Sequence, residues 1–577
     1  MSRTISEAIL QVLASAGVKQ IFGIPGDAIN GLVDAMRKQD EIEFVTVRHE
    51  ETGAFAASAQ AKLTGRPGVC VGTAGPGSIH LLNGLYDAKL DSAPVVAITG
   101  QVETRYLGSH YHQEVDQSSL FGDVAEFSQT IVNPAQVPDI VAQAVRSAMD
   151  NGSVSHLSLP ADIATAEIDA TDHVPYLHRE PRTLPCDEDL DAAADLINAK
   201  SNVTILAGAG ARGAVDELVG TAERLGAPII KTLRAKDILA DDHPMTVGGL
   251  GLLGTSPAVE AIDRTDLLLM VGTDFPYEDF YPEDASAVQI DIDSSHIGRR
   301  YPVNVGLVGH ADLALSALLK RVESKDDQNH LKTGQQDMKS WLELLSKAET
   351  DDGTPIRPQR VAFEISRVAP LDSIFVADTG SVTVWAARHL RVSNGGRFTL
   401  SSSLASMAYA MPAAIGAQLA FPERNVVALA GDGGWSMLIG DFMTAVARNL
   451  PITVVVFNNS KLGLIQMEQE AEGLAEFATG LENPDFAEVA RVMGGEGWRV
   501  EDPSDLTQAL ECAIRFDGPA VVDVVVNPNE VTVPPSIDPE FAVGYAVSKI
   551  KEMTGVGRRG AGIDPLRDLI PVVTDRI

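Results

Sequence analysis

The sequence predicts an α/β protein made of three doubly wound parallel-sheet domains. Two observations carry that expectation. Short apolar runs alternate with longer amphipathic stretches along the chain, which is the pattern of βαβ units. Two polar stretches, 171–187 with three prolines and 323–336 with many charged and polar residues, interrupt the alternation as linkers would. They leave pieces of 1–175, 188–322 and 337–530, and a tail of 531–577.

Taken in order, 68–71 and 94–98 read as buried strands of the first piece, with a helix of small residues upstream at Gly53-Ala54-Phe55-Ala56-Ala57. In the second, 203–207, 267–271 and 288–292 are strands, and Gly208-Ala209-Gly210 turns from the first of them into a helix. In the third, 374–377, 426–430, 452–457 and 520–526 are strands, with a helix beginning near Trp435. No short-period repeat joins the pieces, although the first and third are candidates for one shared fold.

Composition narrows the function. The chain has 577 residues, 45% of them apolar, enough for several cores. Its net charge of −34 excludes nucleic acid as an expected partner, because phosphate backbones bind basic surfaces. Cys70, Cys186 and Cys512 are too few and too scattered for a disulfide framework or a zinc site. No apolar run reaches the ~18 residues that span a bilayer, and the first residues hold no secretory apolar core. A cytoplasmic protein is expected.

The most specific local signal is Gly431-Asp432-Gly433-Gly434 after one apolar strand and Asn458-Asn459 after the next, with Asp432 and Asn459 27 positions apart. Both side chains offer an oxygen at a strand end. Mg²⁺ takes a few such ligands and completes its octahedron with water and phosphate oxygens. The glycines let the backbone approach a phosphate at a helix start. The pattern predicts a magnesium–diphosphate clamp.

This pair resembles the GDG…NN signature of thiamine-diphosphate enzymes. Five further segments strengthen the resemblance. They are Arg48-His49-Glu50-Glu51, Gly75-Pro76-Gly77 leading to His80, Tyr111-His112-Gln113-Glu114, Ser406-Met407 before Met411-Pro412, and Leu462-Gly463-Leu464 before Glu468. Together they resemble the pyruvate oxidase group of the acetolactate synthase superfamily, which includes quinone-dependent pyruvate dehydrogenases. The likeness runs from residue 3 to residue 530.

The resemblance implies a pyrimidine-binding, a central FAD-binding and a diphosphate-binding domain, in that order. It implies thiamine diphosphate, Mg²⁺ and FAD as cofactors. It also implies a homodimer or homotetramer with active sites between the first domain of one subunit and the third of another. Asp432, Asn459 and the Lys461 carbonyl would hold the metal. Gly431, Gly433, Gly434, Gly463 and a second loop, Thr379-Gly380-Ser381, would hold the diphosphate. Met407, flanked by Ala405 and Ser406, would keep the cofactor bent. Glu50 would hydrogen-bond the pyrimidine ring nitrogen and set up its proton transfers. His80, Gln113, Leu464 and Glu468 would line the pyruvate end. Leu464 and His112 stand where phosphate-using pyruvate oxidases carry phenylalanines, a departure that bears on specificity.

In the central piece, Gly208, then Gly251-Leu252-Leu253-Gly254, then Asp274-Phe275-Pro276-Tyr277, then Asp291-Ile292 resemble FAD-binding segments in order and spacing. The lone Gly-x-Gly at Gly208 is weak by itself.

The activity implied is oxidative decarboxylation of pyruvate to acetate and carbon dioxide, with electrons passed through FAD to a quinone or other acceptor. Residues 273–277, 456–460 and 533–535 resemble the quinone-dependent branch. In 541–553 apolar residues recur at roughly helical spacing beside Lys549 and Lys551, a candidate interfacial helix. Peripheral contact with the inner face of a membrane is therefore an expectation attached to the tail. Two alternatives stand beside this reading. Gly84-Leu85-Tyr86-Asp87 and Asp123-Val124-Ala125 fit a phosphate- and oxygen-dependent pyruvate oxidase giving acetyl phosphate. An acetolactate synthase-type carboligase would carry a tryptophan soon after Asn459, and none stands between Ser460 and Glu470.

Overall fold

The protein is described by a computed structural model that covers residues 2–169, 182–530 and 548. Three parallel six-stranded sheets, each flanked by helices, form three α/β domains. Their central strands are mostly apolar and buried along their length, as in Val95–Gln101 and Ile452–Asn458. Such strands need cover on both faces, which the crossover helices provide.

The first sheet runs, in space, Glu43–Thr46, Gln20–Gly23, Gly68–Gly72, Val95–Gln101, Val154–Pro160, Ala125–Thr130. The third runs Arg397–Leu400, Ile374–Ala377, Val426–Gly431, Ile452–Asn458, Ala520–Val525, Glu496–Val500. Counted along the chain, both orders are 2-1-3-4-6-5, so the first and third domains share one topology. The central sheet differs. It runs Thr246–Gly249, Ile229–Lys231, Val203–Ala207, Leu267–Val271, Ser286–Asp291, Val305–Val308, which is 3-2-1-4-5-6. That is the order of dinucleotide-binding domains.

The helix Glu50–Thr64 of the first domain packs on Ala410–Ala420 of the third, and both enter one shared core. The small residues of both helices have a reason here. A Cβ on Gly416 would collide with the Ala56 backbone, and Phe55 meets Tyr409 edge-on at 5.6 Å.

Two expectations need correction. The stretch 323–336 is not a plain linker, because a helix spans Asn329–Glu349. Its polar composition hides one buried face of His330, Leu331, Gly334 and Trp341, and His330 Nε2 lies 2.9 Å from Thr204 Oγ1 of the central sheet. Packing overrides composition there. The helix placed near Trp435 starts earlier, at Asp432, with Gly431 as its cap. Residues 171–181 of the first linker lie outside the described residues, as does the candidate helix at 541–553 apart from residue 548. No helix among the described residues is long and apolar enough to cross a membrane.

Candidate cofactor site

In the third domain the register that pairs Gly431 with Phe457 sets the ends of two neighbouring strands side by side. Asp432 and Asn459 follow those ends. The strand order reverses between Ile374–Ala377 and Val426–Gly431. Open parallel sheets bind ligands beyond the carboxyl ends at such a reversal. Thr379-Gly380-Ser381 lies on one side of it and Asp432 on the other.

Close approaches define a cradle. A Cβ on Gly463 would lie 2.9 Å from Asn459 Nδ2 and 3.4 Å from Ser381 Oγ, so these three predicted contacts converge. A Cβ on Gly433 would lie 3.2 Å from Met407 Cε and 3.0 Å from Leu462. Gly434 faces Asp378 so closely that a side chain there would overlap its carboxylate. Asp378 is buried. Its Oδ1 accepts the Thr379 and Tyr409 N–H groups at 3.0 Å each, while its Oδ2 has no partner among the described residues. Burial pushes its carboxyl up to about 7.

Asp432 is buried as well, and burial pushes its carboxyl up to about 6 against the pull of hydrogen bonds from Gly433, Asn483 and Ser460. A bound cation restores the charged form that burial disfavours. Asn459 Oδ1 accepts the Lys461 N–H at 3.1 Å, and the Lys461 ammonium pairs with Glu476 at 3.1 Å. The residues present thus fit a hard cation with a diphosphate. Leu464 and Glu468 ride on the helix Gly463–Ala471, Leu464 half-buried and Glu468 exposed. The Met407 loop is bent by left-handed Ala405 and Ala408, at φ 54° and 69°. Its Ser406 Oγ accepts Asn83 Nδ2 of the first domain at 2.9 Å.

In the first domain Glu50 opens the helix Glu50–Thr64 and is buried. Its Oε2 lies 3.0 Å from His80 Nδ1, and His80 stacks on His49 at 4.5 Å between ring centroids. The Gly75-Pro76-Gly77 turn closes over this group. A Cβ on Gly77 would lie 3.2 Å from Glu50 Oε1, and one on Gly75 would lie 2.9 Å from Gln113 O. Glu50, His80 and Gln113 therefore gather at one turn, while no hydrogen bond or ion pair among the described residues brings Leu464 or Glu468 to it. Among the described residues, no hydrogen bond or ion pair joins them to Asp432 or Asn459.

In the central domain the order reverses between Val203–Ala207 and Leu267–Val271. Gly208 and Gly210 of the first loop press on Gly272 of the second, leaving no room for side chains. Around the same sheet end, Leu252 is 53%, Tyr277 49% and Ile292 56% exposed. All three follow strand ends. Phe275 is buried beside Gly251, while Leu253 and Gly254 line a cavity of about 50 Å³ with Thr232, Leu233 and Arg388. Asp274 is committed to Arg299 at 2.9 Å and Arg300 at 3.2 Å, and Pro276 is exposed. Asp291 is buried, accepts the Asp293 N–H at 3.0 Å and faces His296 Nδ1 at 3.3 Å.

Sequence reasoning missed Asp378, Asn483 and Asp441 as functional groups. Asp378 had a signal, since it ends a strand just before the Thr379-Gly380-Ser381 loop. Asn483 had none, because it reaches Asp432 from 51 residues away. Asp441 accepts the Arg48 N–H at 2.8 Å and the Thr52 hydroxyl at 2.6 Å, which fastens the start of the Glu50 helix to the third domain.

Family models match all three domains. They are described as the thiamine pyrophosphate enzyme N-terminal TPP binding domain over residues 3–120, the central domain over 190–318, and the C-terminal TPP binding domain over 378–524. The protein YdaP of Bacillus subtilis is 41% identical over 551 residues, covering 95% of this chain and 96% of its own. A pyruvate oxidase of Lactiplantibacillus plantarum is 34% identical, covering 90% and 88%. An acetolactate synthase large subunit of Parasynechococcus marenigrum is 32% identical, covering 91% and 87%.

Proposed function

The chain belongs to the thiamine pyrophosphate enzyme family, and on that premise we propose that it oxidatively decarboxylates pyruvate to acetate and carbon dioxide, passing electrons through FAD to a quinone. One observation carries the flavin half of this reading. The central domain has the dinucleotide-binding strand order, with exposed Leu252, Tyr277 and Ile292 beyond its strand ends, where a planar ring system would find apolar cover.

When bound, thiamine diphosphate supplies the electron sink for decarboxylation and FAD the two-electron acceptor. The chain's own residues do the rest. Asp432, Asn459 and the Lys461 carbonyl would hold Mg²⁺, and Ser381, Gly463 and Gly433 would face the diphosphate. Met407, whose Cε would lie 3.2 Å from a Cβ on Gly433, would keep the cofactor bent. Glu50 would be the group that hydrogen-bonds the pyrimidine nitrogen and holds or releases a proton there. His80, half-exposed and 3.0 Å from Glu50, would connect that carboxylate to the pyruvate side, which Gln113 and Glu468 would help to line. Leu464 gives apolar bulk beside them.

The Glu50 and Asp432 groups lie in different domains, and the family resemblance would place one cofactor between the first domain of one subunit and the third domain of another. Exposed Ile79 and Tyr111 near the first group, and Met437, Ile465, Leu474 and Phe477 near the second, are the apolar surface such a homodimer or homotetramer would cover.

A second reading, acetyl phosphate formation with phosphate and oxygen, draws on the likeness to the Lactiplantibacillus plantarum pyruvate oxidase. One assay separates the two. Pyruvate turnover with thiamine diphosphate and Mg²⁺ is followed with a quinone, with phosphate plus oxygen, and with no acceptor. Acetate with quinone reduction is expected. Acetyl phosphate with peroxide would replace the first reading by the second. Acetolactate without an acceptor, or protein that purifies without flavin, would sink both.

A further inference from the structure

The Asp432 carboxylate receives its donors unequally. Oδ1 accepts the Gly433 N–H at 2.9 Å. Oδ2 accepts two groups, the Ser460 N–H at 2.6 Å and Asn483 Nδ2 at 2.7 Å. An ionised carboxylate offers about four acceptor directions, two on each oxygen. Oδ2 is therefore filled, and one direction remains on Oδ1. We propose that Asn483 is a positioning residue that restricts Asp432 to ligation through one oxygen, and so sets the site's preference for Mg²⁺ over Ca²⁺.

The argument rests on the reading of Asp432 as a metal ligand and on the habits of the two ions. Mg²⁺ demands a small octahedron in which a carboxylate gives one oxygen. Ca²⁺ takes more ligands at longer distance and readily accepts both oxygens of one carboxylate. A donor seated on Oδ2 leaves the first mode open and blocks the second.

Asn483 is held firmly enough to do this. Its amide also donates to Asn458 Oδ1 at 3.0 Å. Asn458 Nδ2 in turn donates to Asp523 Oδ1 at 2.9 Å. Asp523 Oδ2 accepts the Phe486 N–H at 3.0 Å and Arg499 Nη1 at 2.8 Å. Asn458 and Asp523 are buried. The carboxylate of Asp523 fixes which end of Asn458 points where. Asn458 Oδ1 and Asp432 Oδ2, both acceptors, then fix the NH₂ end of Asn483. The chain runs from the metal ligand across the ends of Ile452–Asn458 and Ala520–Val525 to Glu496–Val500. Such outer partners orient ligating carboxylates, and their loss costs about 10–100-fold in metal affinity.

The test uses the full chain freed of cofactor. Thiamine diphosphate is added back and Mg²⁺ or Ca²⁺ is titrated by calorimetry, with no turnover involved. For Asn483→Ala, Mg²⁺ affinity should fall about 10–100-fold while Ca²⁺ affinity falls much less, so the Mg²⁺/Ca²⁺ ratio drops at least about tenfold. Asn483→Ser, whose short hydroxyl withdraws the amide but keeps the site polar, should shift the ratio in the same direction. Thermal unfolding without metal shows that each variant is folded. An unchanged ratio in both variants would overturn the proposal. Asp432→Asn is the separate control on the underlying reading. If it binds both ions as the parent does, Asp432 is not the ligand, and that reading fails with its consequence. If it loses both ions while the ratio in the Asn483 variants stays fixed, only the role of Asn483 fails.

Discussion

Lys62, largely covered, and buried Asp91 meet at 2.7 Å where all three domains touch. Lys62 also donates to Asp87 at 2.8 Å and to the Leu400 carbonyl of the third domain at 3.0 Å. Asp91 accepts the Ser402 and Ser403 N–H groups at 3.0 Å each, and its own carbonyl accepts Arg234 of the central domain. Ser402 and Ser403 open the loop that carries Met407. One residue of the first domain thus fixes the path of the segment that carries Met407, and touches the segment that lines the central-domain cavity.

Lys62→Met should be costly. It removes a cation between two buried carboxylates and leaves both without their main partner. Losing one member of a buried pair destabilises by about 3–5 kcal/mol. The loss should appear as a lower urea midpoint by circular dichroism. A midpoint equal to the parent's would show that the junction is not under tension from these charges.

The same pair sets a pH window. Burial opposes ionisation of Asp91, but Lys62, Arg234 and the Ser402 N–H outweigh it and hold its carboxyl below the usual range. A carboxylate lowered in the folded state stabilises fully above its unfolded value and loses that contribution as pH falls. Burial also opposes the charge on Lys62, but Asp87 and Asp91 raise it. A raised amine stabilises fully below its unfolded value and loses that contribution as pH rises. Asp87, the other carboxylate on Lys62, is pushed up by burial although Lys62 opposes the shift. The parent's advantage over Lys62→Met should therefore shrink above about pH 10 and, on the acid side, begin to shrink already above the ordinary carboxylate range as Asp87 and then Asp91 take up protons. Urea midpoints of both proteins from acid to alkaline pH measure it. A gap that does not change with pH would exclude the ionic origin.

What the sequence makes legible follows the range of each interaction. Asp432 and Asn459 sit at strand ends that apolar runs mark locally, and Glu50 sits at a helix start, so short motifs locate them. The three-domain α/β plan is legible from alternation alone. The shared 2-1-3-4-6-5 order of the first and third sheets is not, because strand neighbours are chosen by packing between distant segments. Asn483 and Asp91 escape for the same reason. Each acts on a partner far along the chain, through a contact that no spacing rule encodes. The helix Asn329–Glu349 escapes differently, since most of its length is solvent-facing and its few buried residues are diluted by polar ones.

Gly208 offers a test of the central domain. A Cβ there meets the Gly272 carbonyl and the Thr273 side chain, at the point where the two loops of the strand-order reversal touch. Gly208→Val should push these loops apart. Overpacking of this kind costs about 1–3 kcal/mol. Because the loops flank the proposed flavin site, the variant should also purify with less flavin per chain, read from its visible absorbance. Full flavin content with an unchanged urea midpoint would show that the loop contact matters neither to the fold nor to the ligand.

Glu50→Gln isolates the proposed proton transfer. Glutamine keeps the shape of the side chain and can still hydrogen-bond His80, so the turn at Gly75–Gly77 should hold and far-ultraviolet circular dichroism should match the parent. What is lost is a group that can take up and release a proton beside the pyrimidine. Groups in that role contribute about 10²–10⁴-fold, and pyruvate turnover should fall by that order with thiamine diphosphate still bound. His80→Ala should cost less, because His80 is half-exposed and water can enter its place. Turnover of Glu50→Gln near that of the parent would remove Glu50 from the proton path. A larger loss for His80→Ala than for Glu50→Gln would make the histidine, rather than the carboxylate, the group that handles the proton.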